Sequence, residues 1–409
     1  MRQFSSIIRI ITGLVFIFSG LVKGIDPLGS AYKFHDYFQA FNIGFLQFLS
    51  LPLSMSLSTL ELLTGFSLMS GIRQKEGICS ASLLMLVFTP LTLVLAISNP
   101  VSDCGCFGDA IHLTNWQTFF KNVVLILMIA YLFFNRKNIS SITSPLKEWI
   151  FIGFVAILMI VFCIVNLRYL PILDFRPYKP GVNISEGMSI PADASANVYE
   201  TTFIYEKDGI KKEFTLENYP ADDTTWVFVD QKSVLISKGY EPPIHDFALT
   251  TPGNEDITEK VLADDGYTLL MVSTKLEKAR ESDLEKGFRK ATYCLSNDIG
   301  FYVLTASGSD EIRAFDNGLQ FCMVDETTLK TIVRSNPGYV LIKNGTIIGK
   351  WSKANLPVDE WFTGNIAGKQ IEELSSEKDR LYLFITIFIT SILLVIIYRQ
   401  YMRESKTNN

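Results

Sequence analysis

Two cysteines separated by a single glycine, in the run Asp103-Cys104-Gly105-Cys106-Phe107-Gly108-Asp109, are the residues best placed by type and spacing to carry chemistry. Glycine tolerates backbone angles that other residues resist, so the pair can close a small ring. A bridge in so small a ring is strained, and strained or exposed disulfides are the more oxidising and labile ones. That suits exchange better than scaffolding. Three readings stay open for the pair: thiol-disulfide exchange, a structural disulfide or plain turn, and a metal site assisted by Asp103, Asp109 or His112. Metal is the weakest of the three, because a soft ion wants more sulfur or imidazole than two thiols and one histidine supply.

Glu61 falls inside an apolar run, where an ionisable group is costly and is usually paired or functional. Lys121 enters another apolar run from the same side, so a Glu61–Lys121 pair is geometrically feasible, either as a structural ion pair or as a proton or quinone site. Lys23, at the end of the first apolar run, reads as a snorkelling anchor. Cys79 and Cys163 read as small packing residues, with Cys163 able to approach the Cys104 loop. Cys294 and Cys322 are open between buried thiols and a single disulfide. His35, His112 and His245 are far apart and form no metal-ligand spacing. No nucleophile elbow, phosphate-binding glycine loop or His-Glu-x-x-His helix is present, which argues against hydrolase and nucleotide chemistry.

The elements that must hold these residues follow from how apolar side chains are distributed. The 48% hydrophobic content of the 409 residues is collected in blocks, whereas the stretch from about Leu170 to Arg380 is polar. A spanning helix needs roughly 20 mostly apolar residues. Six segments approach that length: Phe4–Val22, Leu53–Met69, Ile78–Ile97, Gln117–Phe134, Trp149–Leu167 and Leu381–Tyr398. The first reads as an uncleaved anchor, because Lys23-Gly24 leads into an aromatic-rich loop with no small-x-small cleavage site. Positive charge gathers at Arg2 and Arg9, at Arg73 and Lys75, at Arg136, Lys137 and Lys147, and at Arg399, Arg403 and Lys406. Lysine and arginine favour the cytoplasmic side of short loops, so both termini are expected in the cytoplasm. The Cys104 loop and the polar region are then expected together on the opposite, oxidising side. A net charge of −5 argues against a nucleic-acid partner.

Residues 1–136 thus form a four-helix membrane domain, and 137–170 a cytoplasmic link, around Asn138–Pro145, with a fifth span. Pro171, Pro177 and Pro180-Gly181 predict an extended stalk, opening a 171–240 unit that ends in a small antiparallel β subdomain over Val198–Lys238, with Lys207-Asp208-Gly209 as its hairpin signal. Over residues 241–365 strands alternate with helical stretches. Strands are predicted at Tyr267–Ser273, Phe301–Ala306, Gln320–Val324, Tyr339–Lys343 and Thr346–Trp351, and helices at Leu276–Leu295, Ser309–Phe315 and Glu326–Val333. Asn344-Gly345 marks a hairpin between the last two strands. Residues 366–409 supply a linker, a last span and a tail.

Two resemblances overlie this reading. The first 135 residues resemble the MauE branch of the DoxX-like four-helix membrane proteins. The likeness rests on Gly13–Lys23 with Asp26-Pro27, Glu61 with Gly65 and Gly71, the Cys104-Gly105-Cys106-Phe107-Gly108 turn, and Trp116 with Lys121-Asn122. It implies a role in methylamine metabolism, through formation of disulfides in an exported dehydrogenase subunit, although that substrate need not transfer. The span from Pro242 to Leu356, opening Pro242-Pro243-Ile244-His245-Asp246-Phe247-Ala248-Leu249, resembles the TlpA-type extracytoplasmic thioredoxins. That resemblance implies a cis bond before Pro337 and a peptide-binding groove beside it. The position of the thioredoxin Cys-x-x-Cys reads Ser273-Thr274-Lys275-Leu276-Glu277, so this domain cannot run dithiol exchange in the usual way.

The expectation is a multi-pass protein of the bacterial inner membrane: a helical bundle, two further spans, an extracytoplasmic α/β thioredoxin-like domain and a small β subdomain. In one reading Cys104 and Cys106 exchange with an exported protein while Pro337 lines the groove that holds it. No cofactor is evident, and a membrane quinone is the candidate acceptor for the electrons. In the other reading the chain is a non-catalytic envelope scaffold or binding protein with a redox-dead thioredoxin-like domain. Its surroundings are membrane lipid and an envelope partner in either case.

Overall fold

The structure, a computed structural model, describes residues 2–407 except 102, 136–143, 192, 196–197, 208, 216–217, 219–222, 224, 238 and 316–317. The N-terminal region contains α1 (Arg2–Ile25), α2 (Pro27–Ala40), α3 (Ser50–Ser70), α4 (Gln74–Ser98), α5 (Asn115–Phe134) and α6 (Pro145–Tyr169). All of these except α2 belong to helical runs long and apolar enough to cross a membrane. Small residues let α1 and α3 approach closely, as membrane helices without a hydrophobic driving force between them require. A Cβ on Gly65 would fall 2.5 Å from the Gly13 carbonyl, and one on Gly20 would fall 2.7 Å from the Ser58 carbonyl. The α1/α3 pair is sandwiched: α6 packs on one side through Met159, Phe162 and Cys163, and α4 and α5 on the other through Ile78, Met85, Leu125 and Ile129.

The aromatic-rich loop expected after the first span is instead the helix α2. Asp26 caps its N-terminus by accepting from the Gly29 amide at 2.8 Å, and Pro27 occupies the first turn, where its missing N–H is no loss. The sixth apolar run is the C-terminal half of one long helix, here α12 (Ile366–Thr407), which follows the soluble domain. Its Phe384 stacks on Phe162 of α6 with ring centroids 4.0 Å apart. The expected link at Asn138–Pro145 lies largely outside the described residues, which resume at Ser144.

The predicted stalk is not free. Arg176 and Tyr178 are buried, and Lys350 reaches back to Asp174 at 2.7 Å. The chain then runs along the outermost strand of the main sheet, with Gly181 N–H bonding the Ile347 carbonyl and Ile347 N–H bonding the Val182 carbonyl. The short helix α7 (Ile184–Met188) follows. An open strand edge carries unpaired backbone groups, and this segment satisfies those at Gly345 and Ile347. Prolines broke regular structure as expected, but a proline-rich segment can still pack.

The small β subdomain forms as predicted, from β1 (Val198–Lys207), β2 (Ile210–Thr215) and β3 (Val227–Ser237) in the antiparallel order β2-β1-β3. Asp208 of its hairpin signal lies outside the described residues. The larger domain contains α8 (Thr258–Leu262), β4 (Tyr267–Ser273), α9 (Glu281–Leu295), β5 (Gly300–Thr305), α10 (Ser309–Ala314), β6 (Gln320–Met323), α11 (Glu326–Ile332), β7 (Gly338–Lys343) and β8 (Thr346–Ser352). Its sheet has the order β6-β5-β4-β7-β8, with β4, β5 and β6 parallel and β7 antiparallel to both neighbours. The period-two rule sends Leu270 and Val272 of β4 into one core and Leu269 and Met271 into the other. The helical run predicted from Leu276 begins as a single 3-10 turn and becomes α9 only at Glu281.

Candidate functional site

The Cys104 loop joins α4 to α5 and is shaped by its glycines. Gly105 and Gly108 have φ of +63° and +51°, the left-handed region where a side chain costs most. The Gly108 amide returns to the Gly105 carbonyl at 3.1 Å, closing the turn. Asp103 accepts from the Gly105 amide at 2.8 Å and from Lys33 Nζ of α2 at 3.0 Å. Tyr37, one turn further along α2, donates its hydroxyl to the Cys104 carbonyl at 2.5 Å. Both cysteines are thiols, half-buried, with their sulfurs 2.9 Å apart.

Beneath the loop lies a buried charge network. Lys23 Nζ donates to Glu61 Oε1 at 2.9 Å, to Glu61 Oε2 at 2.7 Å and to Ser19 Oγ at 2.7 Å, which occupies all three ammonium protons. Ser19 Oγ in turn lies 2.9 Å from both Glu61 Oε2 and the Cys106 carbonyl. Ser19 carries a single hydroxyl hydrogen, and both the carboxylate and the cysteine loop lie within its reach. The sequence-based pairing of Glu61 with Lys121 is thereby corrected: the partner is Lys23, which is buried instead of snorkelling. Ser19 and Lys23 are one turn apart on α1, and the close approach at Gly20 delivers that face to α3. Lys121 instead lies over the Phe107 ring, 4.3 Å from its centroid.

These groups share a cavity of about 170 Å³ whose lining includes Lys23, Glu61, Cys104, Cys106, Phe107 and Lys121. The electrostatics divide the thiols. Cys106 is lowered to about 6, first by the hydrogen bond from the Cys104 thiol and then by the Lys121 and Lys23 charges, against the effect of burial. Cys104 is raised, first by its hydrogen bond with Cys106 and then by burial. Two thiols at contact distance, one of them shifted toward the thiolate, are arranged as a dithiol pair, in which the thiolate is the nucleophilic form.

The α/β domain docks on the same end of the bundle. Arg334, in the loop after α11, bonds Asp26 at 2.7 Å and Asp109 at 2.9 Å, and lies 5.2 Å over the ring of Tyr32. Helix α2 therefore has two occupied faces. Tyr32 meets Arg334 and Lys330 of the α/β domain, while Lys33 and Tyr37 hold the cysteine loop. Pro337 follows a cis peptide bond three residues after Arg334.

The place of a thioredoxin Cys-x-x-Cys is filled by a polar network. Ser273 Oγ donates to Asn336 Oδ1 at 2.7 Å, Asn336 Nδ2 donates to the Lys275 carbonyl at 3.1 Å, and Ser307 Oγ donates to Glu277 at 2.8 Å. Cys294 and Cys322 lie in the two different cores, on opposite faces of the sheet, and are both thiols; burial pushes each up to about 12. Cys163 is a packing residue as expected, 3.6 Å from Ser58 on the α6 side of the α1/α3 pair, and does not make the approach to the Cys104 loop that the sequence left open. Cys79 is exposed near the start of α4. Asp103 and Asp109, the suggested helpers of a metal, are committed to Lys33 and Arg334.

Sequence reasoning missed Ser19, Lys33, Tyr37 and Arg334. The Asp26-Pro27 cap signal was available for α2, and it would have placed Lys33 and Tyr37 on one face.

Comparison with known proteins divides the chain in the same way. Residues 1–135 match the sequence profile of the methylamine utilisation protein MauE. Residues 199–238, the small sheet, match a domain of unknown function (DUF8463). The chain is similar to Protein TlpB of Flavobacterium psychrophilum, with 30% identity over 139 residues, which is 32% of this chain and 38% of that protein. The chain thus spans 38% of the length of that curated relative. No solved structure matches the chain.

Proposed function

We propose that this chain, a membrane protein with a MauE-type N-terminal region, is a thiol-disulfide oxidoreductase acting on exported proteins through Cys104 and Cys106. The observation that carries the reading is the contact pair itself, a lowered Cys106 thiol accepting from a raised Cys104 thiol. In the oxidised state the two sulfurs form a bridge. A thiolate of the exported partner attacks the Cys104 sulfur and Cys106 departs, because the sulfur with the lower pKa leaves faster. The partner's second thiolate then attacks the mixed disulfide. The partner leaves oxidised and the pair is left as two thiols.

In this reading the docked end of the bundle, with the loop and the α/β domain, faces the oxidising side of a bacterial inner membrane, and both termini are cytoplasmic. The positive-charge bias of the sequence supports that orientation. The α/β domain holds the partner near Pro337 and does no thiol chemistry of its own. The hydrogen-bonded network at Ser273, Asn336 and Ser307, standing where a Cys-x-x-Cys would be, supports the lack of thiol chemistry in this domain, and that lack also favours the alternative of a non-catalytic envelope scaffold.

Mass-tagging of thiols in intact membranes tests the reading. Cys104 and Cys106 are expected to cycle between bridged and free forms, and Cys106→Ser is expected to hold partners through Cys104. Permanent residence of both thiols in one state, with no mixed disulfide, would remove the oxidoreductase and leave the scaffold.

A further inference from the structure

Thiol exchange leaves two electrons on Cys104 and Cys106, and exchange with an exported protein gives no route for removing them. The cavity below the sulfurs has features that exchange does not need. Phe16, Phe88, Leu91 and Leu125, from helices of membrane-spanning length, form its apolar wall. Val87, also in the lining, is 56% exposed on the outside of the bundle, so the cavity has a mouth among side chains that would face lipid. Its polar lining brings the two sulfurs together with Lys121 and the Lys23–Glu61 pair, and includes Lys33, Tyr37 and Asn122 as well. An apolar wall, a lateral mouth and a cationic end beside a dithiol describe a site for a molecule that arrives through the bilayer and accepts electrons.

We infer that this cavity binds the ring of a lipid-soluble quinone, which reoxidises Cys104 and Cys106. The inference rests on the exchange reading above. At about 170 Å³ the cavity is of the order that takes a single aromatic ring, and a hydrocarbon tail would leave through the mouth at Val87. Phe16, Phe88 and Phe107 supply aromatic surface for a planar ring. Lys121, held over Phe107, presents an ammonium to a ring carbonyl oxygen. The step balances without another reactant: the two thiols lose two electrons and two protons as the S–S bond forms, and the quinone gains both, its two carbonyls becoming hydroxyls. The Ser19 hydroxyl ties this end of the cavity together, lying within hydrogen-bond reach of both Glu61 and the Cys106 carbonyl.

The test uses the full-length protein, reduced, in detergent and without oxygen, mixed with a ubiquinone analogue carrying a decyl tail. Quinol is followed by absorbance and the bridge by thiol mass-tagging, with exchange against oxidised glutathione measured in parallel. The expected result is one quinol per Cys104–Cys106 bridge. Leu125→Trp, which fills the cavity from α5 one turn beyond Lys121, is expected to slow quinol formation about tenfold or more, equivalent to about 1.4 kcal/mol. If the parent protein exchanges with glutathione but reduces no quinone, the quinone site is overturned and the exchange reading stands. If neither reaction occurs, the exchange reading itself falls. Quinol formation at the parent rate in Leu125→Trp would overturn the assignment to this cavity.

Discussion

Arg334 of the α/β domain donates a 2.9 Å hydrogen bond to Asp109, three residues beyond Cys106. Its other arm reaches Asp26, the residue that caps α2, and α2 carries the Lys33 and Tyr37 contacts to the loop. The seating of the soluble domain is thus tied to the thiol loop by two routes, one direct and one through α2.

Separating those routes calls for a double-mutant cycle. Arg334→Gln and Asp109→Asn are each expected to lower the thermal midpoint of the purified protein. Their coupling is expected to be about 0.5–3 kcal/mol, the range for residues sharing one buried network. Additive effects in thermal melts would mean that the contact does not hold the domains together.

The depressed Cys106 thiol predicts a pH profile. Alkylation of the reduced protein at Cys106 is expected to rise with a midpoint near about 6 and to fall away below it as the thiolate protonates. Cys104→Ala removes the hydrogen bond that lowers Cys106 most, so its midpoint is expected to move up toward the ordinary thiol value of 9.0. A midpoint unchanged in the variant would assign the shift to the lysines instead.

Lys23 and Glu61 have side chains only 8% and 3% exposed, so either charge alone would be stranded. Glu61→Leu or Lys23→Met is expected to cost about 3–5 kcal/mol, whereas the double substitution recovers most of that loss, because desolvation offsets much of what a buried pair gains. Unfolding in detergent measures all three. Equal losses in the single and double variants would show that the pair has no mutual dependence.

Lys350 is lowered to about 7 by burial and by Arg176, against the attraction of Asp174. Burial opposes ionisation of Asp174, but Lys350 and Arg176 outweigh it and hold that carboxyl below its usual value. Between about 7 and the ordinary lysine value of 10.5, the unfolded chain binds more protons than the folded one at this site. Stability therefore gains from this group as pH rises through that window and loses as pH falls through it. Lys350→Met is expected to flatten the slope of thermal midpoint against pH over the same interval. A slope indifferent to the substitution would place its origin elsewhere.

How far the sequence disclosed these relationships depends on their range. The hairpin at Asn344-Gly345, the buried strand Tyr267–Ser273 and the apolar runs are local patterns, set by turn chemistry and side-chain period, and they fold where expected. The cysteine loop was legible for the same reason. The rotation of one membrane helix about its axis relative to another is not written locally, so Glu61 was assigned Lys121 when Gly20 brings it Lys23. Arg334 and Asp26 are 308 positions apart, and neither sits in a motif that announces the other. Helix α2 was missed because its aromatic residues blurred the apolar period, although the Asp26-Pro27 start signal was present.

The segment from Gly181 to Ile184 that runs beside β8 also restricts how the soluble domain can recognise anything. On the far side, Met323 of β6 exchanges backbone bonds with Thr250. Both margins of this sheet are thus bonded in part by its own chain, which leaves less backbone for a guest strand to add to. Neighbouring copies on a crowded membrane accordingly have less to zip together at this sheet.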